Sequence, residues 1–196
     1  ISRGGYIAGA IEPDTELQAQ LWLADRLGID LVGRVVHVSL VPNRFSGKSV
    51  ADAVELKRIR PGDVIVLRNL GPVAAGMPEV VLAASALSVP ELTGKVALIS
   101  DTRVSGISHG AIGVHCSPEA AVGGPIGLVR DGDVISFDLL EGDITWHVSE
   151  DEAAQRRSIG KPPIPRHFRG YLADFAATVA QAHHGCVSRA LYPDCL

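Results

Sequence analysis

The stretch Arg130 to Val148, RDGDVISFDLLEGDITWHV, sets the character of the fold. Arg130-Asp131-Gly132-Asp133 is a turn by composition and precedes the strand-like Val134 to Leu139. Glu141-Gly142-Asp143 is a second turn and precedes Ile144 to Val148, so the whole reads as a hairpin of two strands. The same device stands upstream. Arg60-Pro61-Gly62-Asp63 is a turn, and the apolar run Val64 to Leu67 behind it reads as a buried strand. Lys95 to Ser100 is another buried-strand candidate. Arg34 to Val41 (RVVHVSLV) is β-branched and partly alternating, and Pro42-Asn43 closes it.

Helices occupy the spaces between. Thr15 to Leu27 places Leu17, Leu21, Ala24 and Leu27 on one face, follows the turn-like Glu12-Pro13-Asp14 and stops at Gly28. A short helix is expected over Ser49 to Lys57 and another over Glu150 to Ser158. Pro162-Pro163-Ile164-Pro165 breaks the latter, and Phe168 to His183 forms a last amphipathic helix. Strands outnumber helices, and no repeat or low-complexity segment interrupts the 196 residues. The expectation is one α/β domain over residues 1–196, β-rich and barrel-like or sandwich-like, with flanking helices.

Bulk composition narrows the function classes. At 46% hydrophobic the chain can bury a sizeable core. Eighteen basic against 22 acidic residues, with no long run of either sign, exclude the basic footprint of a nucleic-acid binder. The three cysteines, Cys116, Cys186 and Cys195, are odd in number and lack CxxC spacing, so neither a disulfide framework nor a zinc ribbon is indicated and a reducing cytoplasm fits best. No apolar run reaches the roughly 18 residues of a membrane span, and the N-terminus lacks the pattern of a secretory signal. The chain opens on Ile1 rather than methionine, as a cleaved chain or a piece of a longer one would.

Chemistry concentrates in Ile99 to Gly127, ISDTRVSGISHGAIGVHCSPEAAVGGPIG, where an expected strand runs into a loop dense in Ser, Gly, His and acids. On composition alone Ser105-Gly106 is first of all a turn. Glu79 after Pro78 is first of all a helix first-turn acid. Ser108 and His109 are read as loop residues bonded to local backbone, and Asp101 with Arg103 as a loop-fixing ion pair. His115 and Cys116 alternate on a probable strand as core and wall. His183-His184, before Gly185, resemble capping cations without a catalytic role.

Resemblance shifts this balance. Asp101-Thr102-Arg103-Val104-Ser105-Gly106 with His109-Gly110 resembles the Asp-Gly-Arg-x-Ser-Gly signature of the dihydroxy-acid and sugar-acid (phosphogluconate) dehydratases. Ser117 to Ile126, then Leu128 to Asp133, resemble that family's continuation. Upstream, Pro61 to Val66, Gly71-Pro72 and Gly76-Met77-Pro78-Glu79 resemble its strand and its Met-Pro-Glu turn. The resemblance runs over roughly residues 45 to 190 and implies the family's C-terminal domain, a barrel-like (swivelling β/β/α type) unit with peripheral helices.

The family removes water from a 2,3-dihydroxy acid to give a 2-keto acid, using an iron–sulfur cluster and magnesium. By that resemblance Ser105 is the base for the Cα proton, Glu79 a magnesium ligand, and Arg103, Ser108 and His109 substrate-binding residues. Cys116 is not a cluster ligand by position. The cluster ligands and remaining magnesium ligands are expected outside this chain, in the N-terminal domain of the same or a separate chain. A hydroxy-acid substrate and homo-oligomeric assembly are implied as well. Two departures matter: Gly71 to Glu79 is one residue shorter than the family's turn, and Thr102 stands for its usual glycine, which bears on the backbone only if a positive φ is needed. The alternatives are a non-catalytic binding or regulatory module descended from that domain, and a swivelling domain of another hydro-lyase. Separation of Glu79 from Ser105 beyond one metal site would sink the enzymatic reading.

Overall fold

A computed structural model describes residues 32–36, 46–138, 142–160 and 169–190. Among the described residues six strands, β1 (Val32–Val36), β2 (Asp63–Leu67), β3 (Ala97–Ser100), β4 (Ala111–Gly113), β5 (Val134–Asp138) and β6 (Asp143–Trp146), form one sheet in the order β4-β3-β2-β1-β5-β6. The first four are parallel, with Val35 opposite Val64, Val66 opposite Ile99 and Leu98 opposite Ile112. β5 is antiparallel to both β1 and β6. Parallel neighbours need crossovers. Helix α1 (Ser46–Glu55) lies between β1 and β2, and the short α2 (Pro72–Ala75) and α3 (Val81–Ala86) lie between β2 and β3.

Alternation along the central strands builds two cores. Ile65, Leu67 and Leu98 pack with Val50, Ala53, Ala83, Ala84 and Leu87. Val64, Val66, Ala97 and Ile99 pack with Ala111, Ala120, Ile126, Ile135 and Phe137. Every residue of β2 and β3 is buried, as strands covered on both faces require. Each large aliphatic side chain so buried stabilises the fold by about 1.5–3 kcal/mol.

The α/β character matches expectation, whereas barrel closure is not observed: among the described residues no ladder joins β4 to β6. The sheet nonetheless curls. A Cβ on Gly113 of β4 would fall 2.6 Å from Ile144 Cδ1 and 2.9 Å from Phe137 Cε2, so the absence of a side chain there lets the two ends of the sheet approach.

The expected elements reappear with shifted bounds. The hairpin arms are β5 and β6, with Asp138 opposite Asp143 and Gly142 at φ +73 in the turn. The early strand is Val32–Val36, residues 37–45 lying outside the described ones, as do the helix proposed at Thr15 to Leu27 and the break at Pro162 to Pro165. Helix α4 (Glu150–Ile159) starts where Ser149 Oγ accepts the Glu152 N–H and three acids occupy its first turn.

The last helix, α5, covers only Tyr171–Thr178. Val179 leaves it to bridge Ser188, and Arg189 donates its N–H to the Thr178 carbonyl. His183 and His184 therefore sit on a separate 3₁₀ turn closed by Gly185, not at a helix terminus. The strand near His115 is limited to Ala111–Gly113, and His115 itself has φ +56.

Candidate functional site

Because β2 and β3 are parallel neighbours, their carboxyl ends open on the same side and deliver two loops to one place. The Ser100 hydroxyl joins the strand ends by donating to the Leu67 carbonyl at 2.7 Å. From β2 the chain passes through Asn69, α2 and Met77 to Glu79. From β3 it passes through Asp101, Thr102 and Arg103 to Ser105. The second loop grips the first at successive residues: Thr102 Oγ1 donates to the Pro78 carbonyl at 2.6 Å and Arg103 Nε to the Met77 carbonyl at 2.8 Å. Val80 donates its N–H to the Arg103 carbonyl at 3.3 Å, and Glu79 bridges Arg103 in parallel.

Glu79 and Ser105 meet as a result. Glu79 Oε1 accepts the Ser105 N–H at 2.9 Å and the Val81 N–H at 2.5 Å. The shortened Gly71 to Glu79 turn thus still brings the carboxylate to the serine. Thr102 is absent from the residues with positive φ, so its backbone does not demand glycine, and its hydroxyl adds a tie that glycine would lack.

The other expected site residues divide. Ser105 is half-buried, and its Oγ accepts a long contact from the Ile107 N–H at 3.4 Å. Ser108 closes the same turn through its N–H to the Ser105 carbonyl at 3.0 Å. Its hydroxyl oxygen is buried yet has no hydrogen-bond partner among the described residues, which is uncommon for a buried hydroxyl. Arg103 is exposed and anchored by Nε. His109 is also exposed and borders an apolar cleft with Leu87, Leu92, Leu98 and Ile112. His115 donates its N–H to the Thr102 carbonyl, and burial followed by the Arg103 charge hold its imidazole below the ordinary value.

The expected Asp101–Arg103 ion pair is not formed. Asp101 is fully buried, and its carboxylate accepts the N–H groups of Asn69, Leu70 and Ala120 at 3.0, 3.0 and 3.1 Å. Burial dominates those hydrogen bonds and, with the Glu119 charge adding to it, pushes the carboxyl up to about 6. Glu119, within the Ser117 to Ile126 segment, has no role assigned from the sequence. It is 1% exposed and takes the Val73 and Ala74 N–H groups at 2.8 and 2.9 Å. A charged residue set in the apolar run Ala120-Ala121-Val122 was the available signal, because a buried acid must find donors.

Glu79 suits a hard cation. Its Oε1 is held by backbone donors, while Oε2 has no hydrogen bond among the described residues, leaving an oriented oxygen of the kind magnesium takes. It would be a single ligand of such a site, since no group of three His, Cys, Asp or Glu gathers among the described residues. An iron–sulfur cluster does not fit them. Cys116 lies in the core with its thiol pushed up to about 12, chiefly by burial, and Cys186 packs on Met77 with its thiol also raised by burial. Cys195 lies outside the described residues.

Residues 43–186 match the family model described as dihydroxy-acid/6-phosphogluconate dehydratase C-terminal. The chain belongs to this dehydratase family, as its C-terminal domain. Among its relatives is a dihydroxy-acid dehydratase of Lactococcus lactis subsp. cremoris, 45% identical over 138 residues, 70% of this chain and 24% of the relative. A dihydroxy-acid dehydratase of Chromohalobacter salexigens is 47% identical over 131 residues, 66% of this chain and 23% of the relative. Another, of Pyrobaculum neutrophilum, is 38% identical over 184 residues, 93% of this chain and 31% of the relative. The chain thus spans about a quarter to a third of the dehydratase relatives it matches. No helix among the described residues is long and apolar enough to cross a membrane.

Proposed function

We propose that this domain supplies the base and one metal ligand of a hydro-lyase that converts a 2,3-dihydroxy acid to a 2-keto acid. The observation that carries the reading is the 2.9 Å bond from the Ser105 N–H to Glu79 Oε1, which unites the two resembling segments within the span of one metal site. A magnesium ion on Glu79, when bound with further ligands, would neutralise substrate carboxylate charge and make the Cα proton easier to remove.

In this reading Ser105 Oγ takes the Cα proton. A serine hydroxyl is too weak a base unless its anion is stabilised, and the Ile107 N–H is one local donor directed at that oxygen. The buried, unpartnered Ser108 hydroxyl supports a contact with a substrate hydroxyl or carboxylate, and exposed Arg103 and His109 belong to the surrounding surface. Loss of the 3-hydroxyl and tautomerisation of the enol complete the removal of water. In this proposal that departure falls to the family's N-terminal domain with its cluster. Ile107, 72% exposed beside Ser105, favours a branched-chain dihydroxy acid over a sugar acid. Self-association belongs to the same reading.

Ser105→Ala in the complete native protein tests the assignment. Keto-acid formation should fall by at least about a thousandfold, as expected for removal of an acid–base group, while the melting temperature stays within a few degrees. Activity near the parent level removes Ser105 from the mechanism and favours the non-catalytic module.

A further inference from the structure

The metal-facing turn is held by residues that neither the base nor the ligand assignment uses. Glu119 receives both free N–H groups of the first turn of α2, and its Oε1 also accepts Gln181 Nε2 at 2.9 Å. Gln181 Oε1 accepts the Glu119 N–H at 2.9 Å in return, so side chain and backbone of Glu119 are both fixed by one glutamine. Gln181 is set by the C-terminal loop. Val179 bridges Ser188, the Ala180 N–H donates to the Val187 carbonyl at 2.8 Å, and the Gln181 carbonyl accepts N–H groups from His184 and Cys186. Cys186 in turn lies against Met77, its sulfur 3.1 Å from Sδ, two residues before Glu79.

The contact is tight at the other end as well. A Cβ on Gly71 would stand 2.5 Å from Glu119 Oε2, so the carboxylate lies directly on the turn that leads to Glu79. No ion pair to Glu119 is formed among the described residues. A buried carboxylate is expensive without donors, and here its donors are the amides of the turn and the glutamine that locks it.

We infer that Glu119, held by Gln181 of the C-terminal loop, is a positioning residue that sets where the Glu79 carboxylate stands and so tunes metal affinity. It touches neither metal nor substrate. This rests on the reading of Glu79 as a metal ligand, and the test separates the two.

In the complete native protein, Mn²⁺ serves as the probe and its binding is followed by the electron paramagnetic resonance signal of the free ion. Glu119→Gln replaces one acceptor oxygen by a donor facing other donors and should weaken Mn²⁺ binding by about tenfold or more, the range of lost outer-sphere support. Gln181→Ala, which leaves the carboxylate in place, should weaken it by about threefold on the same scale. Arg156→Met shares no hydrogen bond with this set and should lower the melting temperature without changing Mn²⁺ affinity.

If Glu119→Gln and Gln181→Ala lower the melting temperature but keep Mn²⁺ affinity within twofold of the parent, both residues are merely structural and the inference is overturned. Should Glu119→Gln fail to fold, Gln181→Ala decides alone. Glu79→Gln must itself remove the binding. If it does not, the ligand assignment fails and the inference with it; if it does while Glu119→Gln binds normally, only the positioning role is lost.

Discussion

At its start β2 follows Arg60–Asp63, a turn closed mainly by its own residues: Asp63 Oδ2 accepts the Arg60 N–H at 2.8 Å, Asp63 returns its own N–H to the Arg60 carbonyl at 3.1 Å, Gly62 takes φ +90, and one long-range bond, from the Gly62 N–H to the Lys95 carbonyl at 2.6 Å, ties it to the start of β3. At its end β2 runs into Asn69–Glu79, where the N–H groups of Asn69, Leu70, Val73 and Ala74 go to Asp101 and Glu119, 31 to 46 residues further along. The bonds that shape the first turn lie within four consecutive residues. The second exists only because distant carboxylates arrive from β3 and from the 3₁₀ segment before β5. Arg130–Asp133 repeats the first pattern, with the Arg130 N–H on Asp133 Oδ2 at 2.8 Å, Asp133 N–H on the Arg130 carbonyl at 3.1 Å and Gly132 at φ +88. Turns of this kind shape the scaffold, while the long-range turn carries the candidate chemistry.

Glycine substitutions should separate the two most sharply. Gly71→Ala forces a methyl into the Glu119 carboxylate and should destabilise the protein by about 3 kcal/mol or more in urea unfolding, as overpacking against a fixed polar group does. At Gly62 there is open space, so Gly62→Ala meets only the strain of positive φ and should cost about 1 kcal/mol. Equal losses at the two sites would erase the distinction.

Acid–base behaviour gives the next largest effect. The Asp101 carboxyl is raised from 3.8 to about 6 by burial first of all, so the folded state holds its proton more tightly than the unfolded chain. Its contribution to stability is then fully present below about 4 and is lost as pH rises through about 6, on the order of 3 kcal/mol. Asp101→Asn should remove that decline, visible as the difference between the two stability–pH curves. A difference curve that is flat between pH 4 and pH 6.5 would falsify the burial-dominated assignment. The smallest change is expected at Pro61→Ala, exposed in the locally closed turn, where the unfolding free energy in urea should change by no more than about 0.5–1 kcal/mol.

Arg60–Asp63, Arg130–Asp133, the β5–β6 hairpin and α4 are set mainly by residues within a few positions, and each is readable from composition and spacing. α2 and α3, of four and six residues, are too short to display a helical period, and their place is set by packing under the sheet. The final helix is shorter than its apolar pattern, which runs past Thr178, because the Val179–Ser188 bridge offers the backbone another partner there. Asp101 beside Arg103 suggested an ion pair, yet buried N–H groups at the end of β2 compete for the same carboxylate and prevail.

By itself the sequence determined the local turns, the alternation of strand and helix, and, through the signatures around Ser105 and Glu79, the family. Tertiary structure decided that β2 and β3 are parallel neighbours, that Glu79 therefore stands on the Ser105 N–H, and that Glu119 and Gln181 lie behind them. The reason is physical. A turn bonded within four residues carries its own partners, whereas a buried carboxylate must draw donors from wherever the chain returns.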